Sequence, residues 1–361
     1  MPQIPKTMSA MLTLGHGGLE VLQYRADVPT PTPKTGEVLI KVAAAGLNNT
    51  DINTRIGWYS KSIEGDTHAG GASGFDNVDA GDAAWNGRAL TFPLIQGADC
   101  CGHIVAVGAG VDSNRIGQRV ITRTMQSDPD DSRPFACWTM GSECNGAFAD
   151  YVAIRDSETF QVECDWSDAE LASLPCAYST AEGMLHRAQV GAETVLITGA
   201  SGGVGSAAIQ LAKRRGAEVI ALASKAKHRD VLSFGADQVL DRSANLIKEL
   251  GSQSVDVAVD LVAGTGFTGL LKVLKRGGRY VASGAIGGPL VELDVRDLYL
   301  KDLTLLGATY QPMDVFENLV SYIERGEIRP LVAKTYPLKE MAKAQEDFLS
   351  KKYAGKLVLI P

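Results

Sequence analysis

The sequence predicts an α/β chain with a doubly wound parallel sheet at its centre, and three observations lead there. Residues 1–165 read as short strands broken by glycine and proline. From Ser167 the texture changes, and helical stretches alternate with apolar, β-branched runs, the pattern of parallel βαβ units. One such run passes through a glycine-rich turn into a helix, VLITGASGGVG over Val195–Gly205. The 361 residues are enough for two domains with separate cores.

In the first part, strands are expected at Glu37–Ala43, Cys101–Val107 and Gln118–Thr122. Between them lies Ser60–Arg88, rich in Gly, Ala, Asp and Asn and with little periodicity. A stretch this long without a pattern reads either as a loop that covers substrate or as a disordered surface insertion. In the second part the order is TVLITG, a helix over Gly205–Arg215, EVIALA, a helix near Lys227–Phe234, then QVLD, VDVAVDLV, RYVASG and LTLLGA. From Met313 the texture is mixed again, and the chain closes on a strand, KLVLIP.

Hydrophobic residues make up 45% and charged residues 21%, which places the chain with globular proteins rather than disordered or membrane ones. A formal net charge of −7 argues against a general grip on nucleic acid or an anionic membrane, so any phosphate must be held by a local cluster. No apolar run approaches a membrane span, and the first residues lack a signal-peptide pattern; a cytoplasmic location is expected. The six cysteines, at 100, 101, 137, 144, 164 and 176, form no C-x-x-C pair and read as reduced thiols.

The glycine turn has a physical reading. Gly202, Gly203, Val204 and Gly205 combine a tight bend, close approach of backbone amides to a pyrophosphate, and close packing of helix on strand. The helix N-terminus adds partial positive charge for the phosphates. With a strand before and a helix after, this is a dinucleotide site of Rossmann type. The next strand selects the dinucleotide. Where an NAD site carries an acid, this chain has Ala223 and Ser224, followed by Lys225, Lys227, His228 and Arg229. A hydroxyl with lysines attracts a 2′-phosphate that a carboxylate would repel, so NADPH is the expected cofactor. The bland alternative is a solvated start to the following helix.

Several segments in order, AAGLNNTDINTRIGWY, FPLIQGADCCGHIVAVGAGV, IGQRV, GAFADYV, LPCAYSTAEGML, VLITGASGGVG, GADQVLD, RGGRYVASGA and AGKLVL, make the chain resemble the medium-chain dehydrogenase/reductase superfamily. Its zinc-independent quinone oxidoreductase and enoyl reductase branches are the most similar. The resemblance covers nearly the whole chain except Ser60–Arg88 and part of Met125–Glu143. It implies a GroES-like catalytic domain over 1–165 and 315–361, interrupted by a Rossmann domain over 166–314, with the active site in the cleft between them. It also implies that Arg242 reaches the adenosine phosphate, and that Gly284, Ile286, Thr309 and Lys356 contribute to the cofactor site.

The resemblance bears on metal too. In the zinc alcohol dehydrogenases a Cys stands at the place of Asn48, a His-Glu pair at Ala98 and Asp99, and a further Cys at Cys176. Catalytic zinc needs three protein ligands of N, S or carboxylate type, and at most Cys176 and Asp99 remain, so no metal is expected. A cluster of Asp99, Cys100, Cys101 and His103 has ligand chemistry, but alternation along a strand parts Cys100 from the other two.

Without a Lewis acid, a hydrogen-bond donor must polarise the acceptor. The resemblance assigns Tyr59 as that donor, Asn48 to the nicotinamide pocket, and Thr180, at the start of a helix, to the nicotinamide face. Against these stand an aromatic packed beside Trp58, an asparagine capping a turn before Asp51, and a helix-start hydroxyl. The expected activity is NADPH-dependent, zinc-free reduction of a quinone or activated C=C or carbonyl substrate. An alcohol dehydrogenase or carbonyl reductase is the alternative, and an NADPH-binding, crystallin-like structural protein the non-enzymatic one. The expected partners are a small-molecule substrate and a second copy in a homodimer, without nucleic acid or membrane.

Overall fold

The computed structural model describes residues 3–361, which fall into two units. One runs to Ile63 and takes in His68–Cys176 and Val320–Pro361; the other holds Ala177–Leu319 with Glu64–Thr67.

The Ala177–Leu319 unit is built on a six-stranded parallel sheet. Its order from one edge is Gln238–Asp241, Glu218–Ala223, Thr194–Ile197, Val255–Asp260, Leu274–Ala282 and Thr304–Gly307. The three β-branched or leucine residues Val195, Leu196 and Ile197 are wholly buried, as strands covered on both faces require. Val195 pairs with both Val219 and Val257, so the first strand of the unit is central and the strand order reverses there. That reversal is where open α/β sheets bind ligands, beyond the carboxyl ends of the strands. The following helix spans Gly203–Arg214, opening two residues before the expected Gly205. The turn is already closed at Gly202, whose N–H donates to the Gly199 carbonyl at 3.1 Å and which serves as N-cap.

The other unit carries a seven-stranded sheet ordered Thr159–Gln161, Arg119–Thr122, Cys101–Val107, Glu37–Gly46, Lys356–Ile360 and Val332–Pro337, with Tyr151–Arg155 also pairing with Glu37–Gly46. A three-stranded sheet, Leu22–Pro29, Thr7–Thr13 and Leu94–Ile95, accompanies it. The strand at Glu37 runs on past the expected Ala43 to Gly46, because Ala44 finds Cys101 as partner and Ala45 finds Leu359. This last pairing brings the end of the chain beside Asn48. No helix among the described residues is long and apolar enough to cross a membrane.

Ser60–Arg88 is tied down rather than disordered, correcting one of its two readings. Local polar side chains do this where apolar periodicity is missing. The Asp79 N–H donates to the hydroxyls of Ser60 and Ser62 at 3.2 and 3.1 Å, and the Lys61 N–H to Asp82 at 3.0 Å. The buried Arg55 guanidinium donates to the carbonyls of Gly17 and Gly71, at 2.7 and 2.6 Å, and to Gln345 at 2.8 Å.

Candidate active site

After the strand Glu37–Gly46 the chain turns into the helix Asn49–Ile56, with Asn48 as N-cap. The Asn48 backbone N–H donates to the Asp51 carboxylate at 2.8 Å, and the Asn48 side chain faces the Asp51 backbone N–H, so the two residues form a capping box. The Asn48 carboxamide has further partners. Its Nδ2 donates to Asp99 Oδ2 at 2.8 Å and, more weakly, to the Gly46 carbonyl at 3.4 Å, while its Oδ1 accepts from Lys356 Nζ. Donor and acceptor ends are thus fixed by partners that cannot exchange roles, because carboxylate only accepts and ammonium only donates.

Asp99 is the hub. Its Oδ2 also meets Lys356 at 3.1 Å, and its Oδ1 accepts the Cys176 N–H at 2.6 Å from the first turn of the helix Pro175–Arg187. A helix N-terminus suits a carboxylate. Gly46 makes the room: a Cβ there would lie 2.4 Å from Asp99 Oδ2 and 2.5 Å from the Ala172 carbonyl. Asp99 is fully buried and Lys356 4% exposed, so the ion pair is dehydrated and removing either partner would strand a charge. Nearby, Asp51 is pushed up to about 7, by burial first and by the Asp99 carboxylate, against backbone hydrogen bonds from Asn48 and Ala98 and the Lys356 ammonium.

This donor set does not fit zinc. Among the described residues no three His, Cys, Asp or Glu side chains gather as a ligand group. Both Asp99 oxygens are engaged, and the Lys356 ammonium stands where it would repel a divalent cation. Cys101 is buried against Asp168 whereas His103 is exposed.

Tyr59 lies just past the same helix. Its hydroxyl donates to Thr50 Oγ1 at 3.0 Å, its ring meets Trp58 edge-on at 5.8 Å, and it meets Trp85 at 5.0 Å. Burial raises the Tyr59 phenol above its ordinary value, helped by Cys176 and Asp51 and opposed by hydrogen bonds with Thr50 and Asn53. It is a donor that stays protonated. Thr180 sits half-buried inside the helix Pro175–Arg187, not at its start as expected, because Pro175 opens the helix. Asn48, Tyr59 and Lys356 belong to one unit and Thr180 to the other.

In the Ala177–Leu319 unit, the remaining candidates follow the carboxyl ends of the parallel strands. Gly199 adopts φ +59° in the turn, and a Cβ on Gly205 would strike the Gly199 carbonyl at 2.3 Å and Ala200 Cα at 2.6 Å. Turn and helix are packed too closely for any side chain at Gly205, which leaves a bare backbone cradle fitted to a dinucleotide pyrophosphate. Gly202, Gly203 and Val204 complete the helix entry. Beneath it the buried Asp260 accepts from Thr198 at 2.6 Å and Tyr280 at 2.7 Å and fixes the following turn through the N–H groups of Val262 and Ala263. Ser224 follows the strand Glu218–Ala223, and Arg242, which follows Gln238–Asp241, donates its N–H to the Ala223 carbonyl at 3.0 Å. Lys227 is held below its ordinary value by burial first and by the Arg242 charge, opposed by Asp230; Asp241 is lowered by its hydrogen bonds from Ser243 first and then by the Lys225 charge. Gly284 and Ile286 follow the strand Leu274–Ala282, and Thr309 follows Thr304–Gly307, exposed.

Two members of this arrangement escaped the sequence. In the sequence Asp99 reads only as a metal ligand, because the cation that holds it lies 257 residues away. Trp85 sits in a segment without periodicity, where the presence of a tryptophan is the available signal.

The chain is similar to known proteins over nearly its whole length. An alcohol dehydrogenase GroES-like domain model matches residues 34–163, and a zinc-binding dehydrogenase model matches residues 203–325. The chain is 30% identical to quinone oxidoreductase of Rattus norvegicus, over 98% of each protein. It is 29% identical to acryloyl-coenzyme A reductase of Metallosphaera sedula, over 98% of this chain and 99% of that one. A solved structure from Sinorhizobium meliloti 1021, provisionally assigned as an alcohol dehydrogenase, is 46% identical with a TM-score of 0.89, covering 99% of this chain and 98% of that one.

Proposed function

The chain belongs to the medium-chain dehydrogenase/reductase superfamily, and from that footing we propose that it is an NADPH-dependent, zinc-independent reductase of quinones or activated C=C bonds. The observation that carries the reading is the Lys356 ammonium between Asn48 and Asp99, where the zinc enzymes assemble ligands. The names of the rat and Metallosphaera relatives support the substrate class.

The roles follow from the chemistry of each side chain. Gly202, Gly203, Val204 and Gly205 hold the pyrophosphate, while Ser224, Lys225, Lys227 and Arg242 hold the 2′-phosphate. The mutual repulsion of Lys227 and Arg242 is relieved by an anion between them. Gly284, Ile286 and Thr309 line the dinucleotide's path. The bound cofactor supplies the hydride. Asn48 and Thr180 orient the nicotinamide, with Lys356 and Asp99 as positioning residues acting through the Asn48 amide. Tyr59 turns its hydroxyl from Thr50 to the acceptor oxygen and stabilises the negative charge that develops there.

Cofactor oxidation by purified, chelator-treated protein tests this. Quinones or enones should be reduced with NADPH at least about ten-fold more efficiently than with NADH, one charged phosphate contact accounting for about ten-fold or more. A second reading, alcohol dehydrogenase, is favoured by the Sinorhizobium protein's assignment; alcohol oxidation abolished by chelation would establish it instead. Binding of NADPH without oxidation by any acceptor would leave a structural role.

The functional form is a homodimer in this proposal. Thr304–Gly307 pairs on one side within its sheet, and the segment leading into it exposes Leu290, Val295, Tyr299 and Leu300 by 53–66%. An open edge beside an apolar patch suits a second copy.

A further inference from the structure

We propose that Trp85, carried by Ser60–Arg88, is a specificity-determining residue that favours planar conjugated-ring acceptors over open-chain ones; the inference rests on the reductase reading above. The Trp85 ring lies 5.0 Å from that of Tyr59, tilted by 41°, and Trp58 meets the same tyrosine at 5.8 Å and 76°. All three residues are half-buried. Part of this aromatic wall therefore stays accessible, while the Tyr59 hydroxyl is drawn to Thr50 on the helix that Asn48 caps. Trp58 gives the wall a fixed back, packed with Phe75 and Phe348 on Ile52, Ile56 and Leu349.

The turn that bears Trp85 is fixed on both sides. Ala83 and Ala84 are 0% and 2% exposed. The Ala84 N–H donates to the Arg88 carbonyl at 2.8 Å, and the Gly87 N–H returns to the Ala84 carbonyl at 3.0 Å, with Gly87 at φ +76°. The Asn86 N–H donates to Glu143 Oε1 at 3.0 Å, and Glu143 Oε2 accepts from the Thr139 N–H at 2.8 Å. A tryptophan whose neighbours are buried and clamped, but whose own ring is partly open, presents a π face at little entropic cost. A quinone ring can stack on such a face; an open-chain enone has no comparable surface. Both acceptors take hydride, so the contribution of the wall is read from how each KM changes when Trp85 is replaced.

The test compares wild type, Trp85→Ala and Trp85→Phe with two acceptors: 2,3-dimethoxy-1,4-naphthoquinone, which spares thiols, and 3-penten-2-one. Loss of one aromatic stacking partner should raise the KM for the naphthoquinone about three- to ten-fold. The enone should change by less than about two-fold, the KM for NADPH should hold, and phenylalanine should restore most of the loss. Equal changes with both acceptors, or none with either, overturn the inference. If wild type reduces neither acceptor, the reductase reading fails on its own. Calorimetric titration of the naphthoquinone into the NADP+-loaded protein then decides: weaker binding by Trp85→Ala sustains the role of Trp85, and unchanged binding ends it.

Discussion

Asn48, Asp99 and Lys356 show how a residue's role is set by the partners that use up its hydrogen bonds. Tyr59 keeps more freedom, since a hydroxyl rotates. If it donates to developing oxyanion charge, Tyr59→Phe should lower kcat by about ten- to a thousand-fold with NADPH affinity nearly unchanged. A rate within about two-fold of wild type would reduce it to a packing ring. Asp51 gives a pH prediction. Its folded value of about 7 lies above the ordinary 3.8, so the folded state binds the proton more tightly than the unfolded chain. The stability this contributes is complete at low pH and is lost as pH rises toward 7. Asp51→Asn should therefore cost more thermal stability at pH 5 than at pH 8. A gap that widens with pH would contradict the assignment.

At the scale of elements, the proposed 2′-phosphate site is shared by two neighbouring strand ends. Ser224 and Lys227 follow Glu218–Ala223, and Arg242 follows its neighbour Gln238–Asp241. Arg242→Ala together with Lys227→Ala should weaken NADPH about ten- to a hundred-fold and leave NADH within about two-fold, because NADH has no 2′-phosphate for these charges to hold. Titration of both cofactors checks this, and parallel losses would place the pair outside the phosphate site. The glycine turn belongs to the same scale. Gly205 was recognisable beforehand because close packing of helix on strand leaves no room for a Cβ, which is a local and therefore readable demand. The helix start at Gly203 was less readable, since it depends on where the turn closes its own hydrogen bond.

For the whole molecule, the open edge Thr304–Gly307 and the apolar segment before it lead to the prediction of self-association. Light scattering should give twice the 38.3 kDa chain mass. Leu300→Glu with Tyr299→Glu should shift it to a single chain, because charges opposed across a two-fold interface repel. A monomeric wild type would remove the proposal.

The sequence by itself determined the alternating strands and helices of the Ala177–Leu319 unit, the glycine cradle and the basic cluster after Ala223, because periodicity, turn chemistry and charge act between near neighbours. It also determined that the zinc ligand pattern is absent. The tertiary structure alone decided what stands in its place. Lys356 reaches Asn48 across 308 residues because the closing strand pairs with Glu37–Gly46, through Val358 with Gly46 and Leu359 with Ala45. It likewise decided that Ser60–Arg88 is packed and that Trp85 meets Tyr59, since scattered side-chain hydrogen bonds and one buried arginine do that work. Contacts between segments distant in sequence, each made by one or two side chains, leave no periodic trace in the chain.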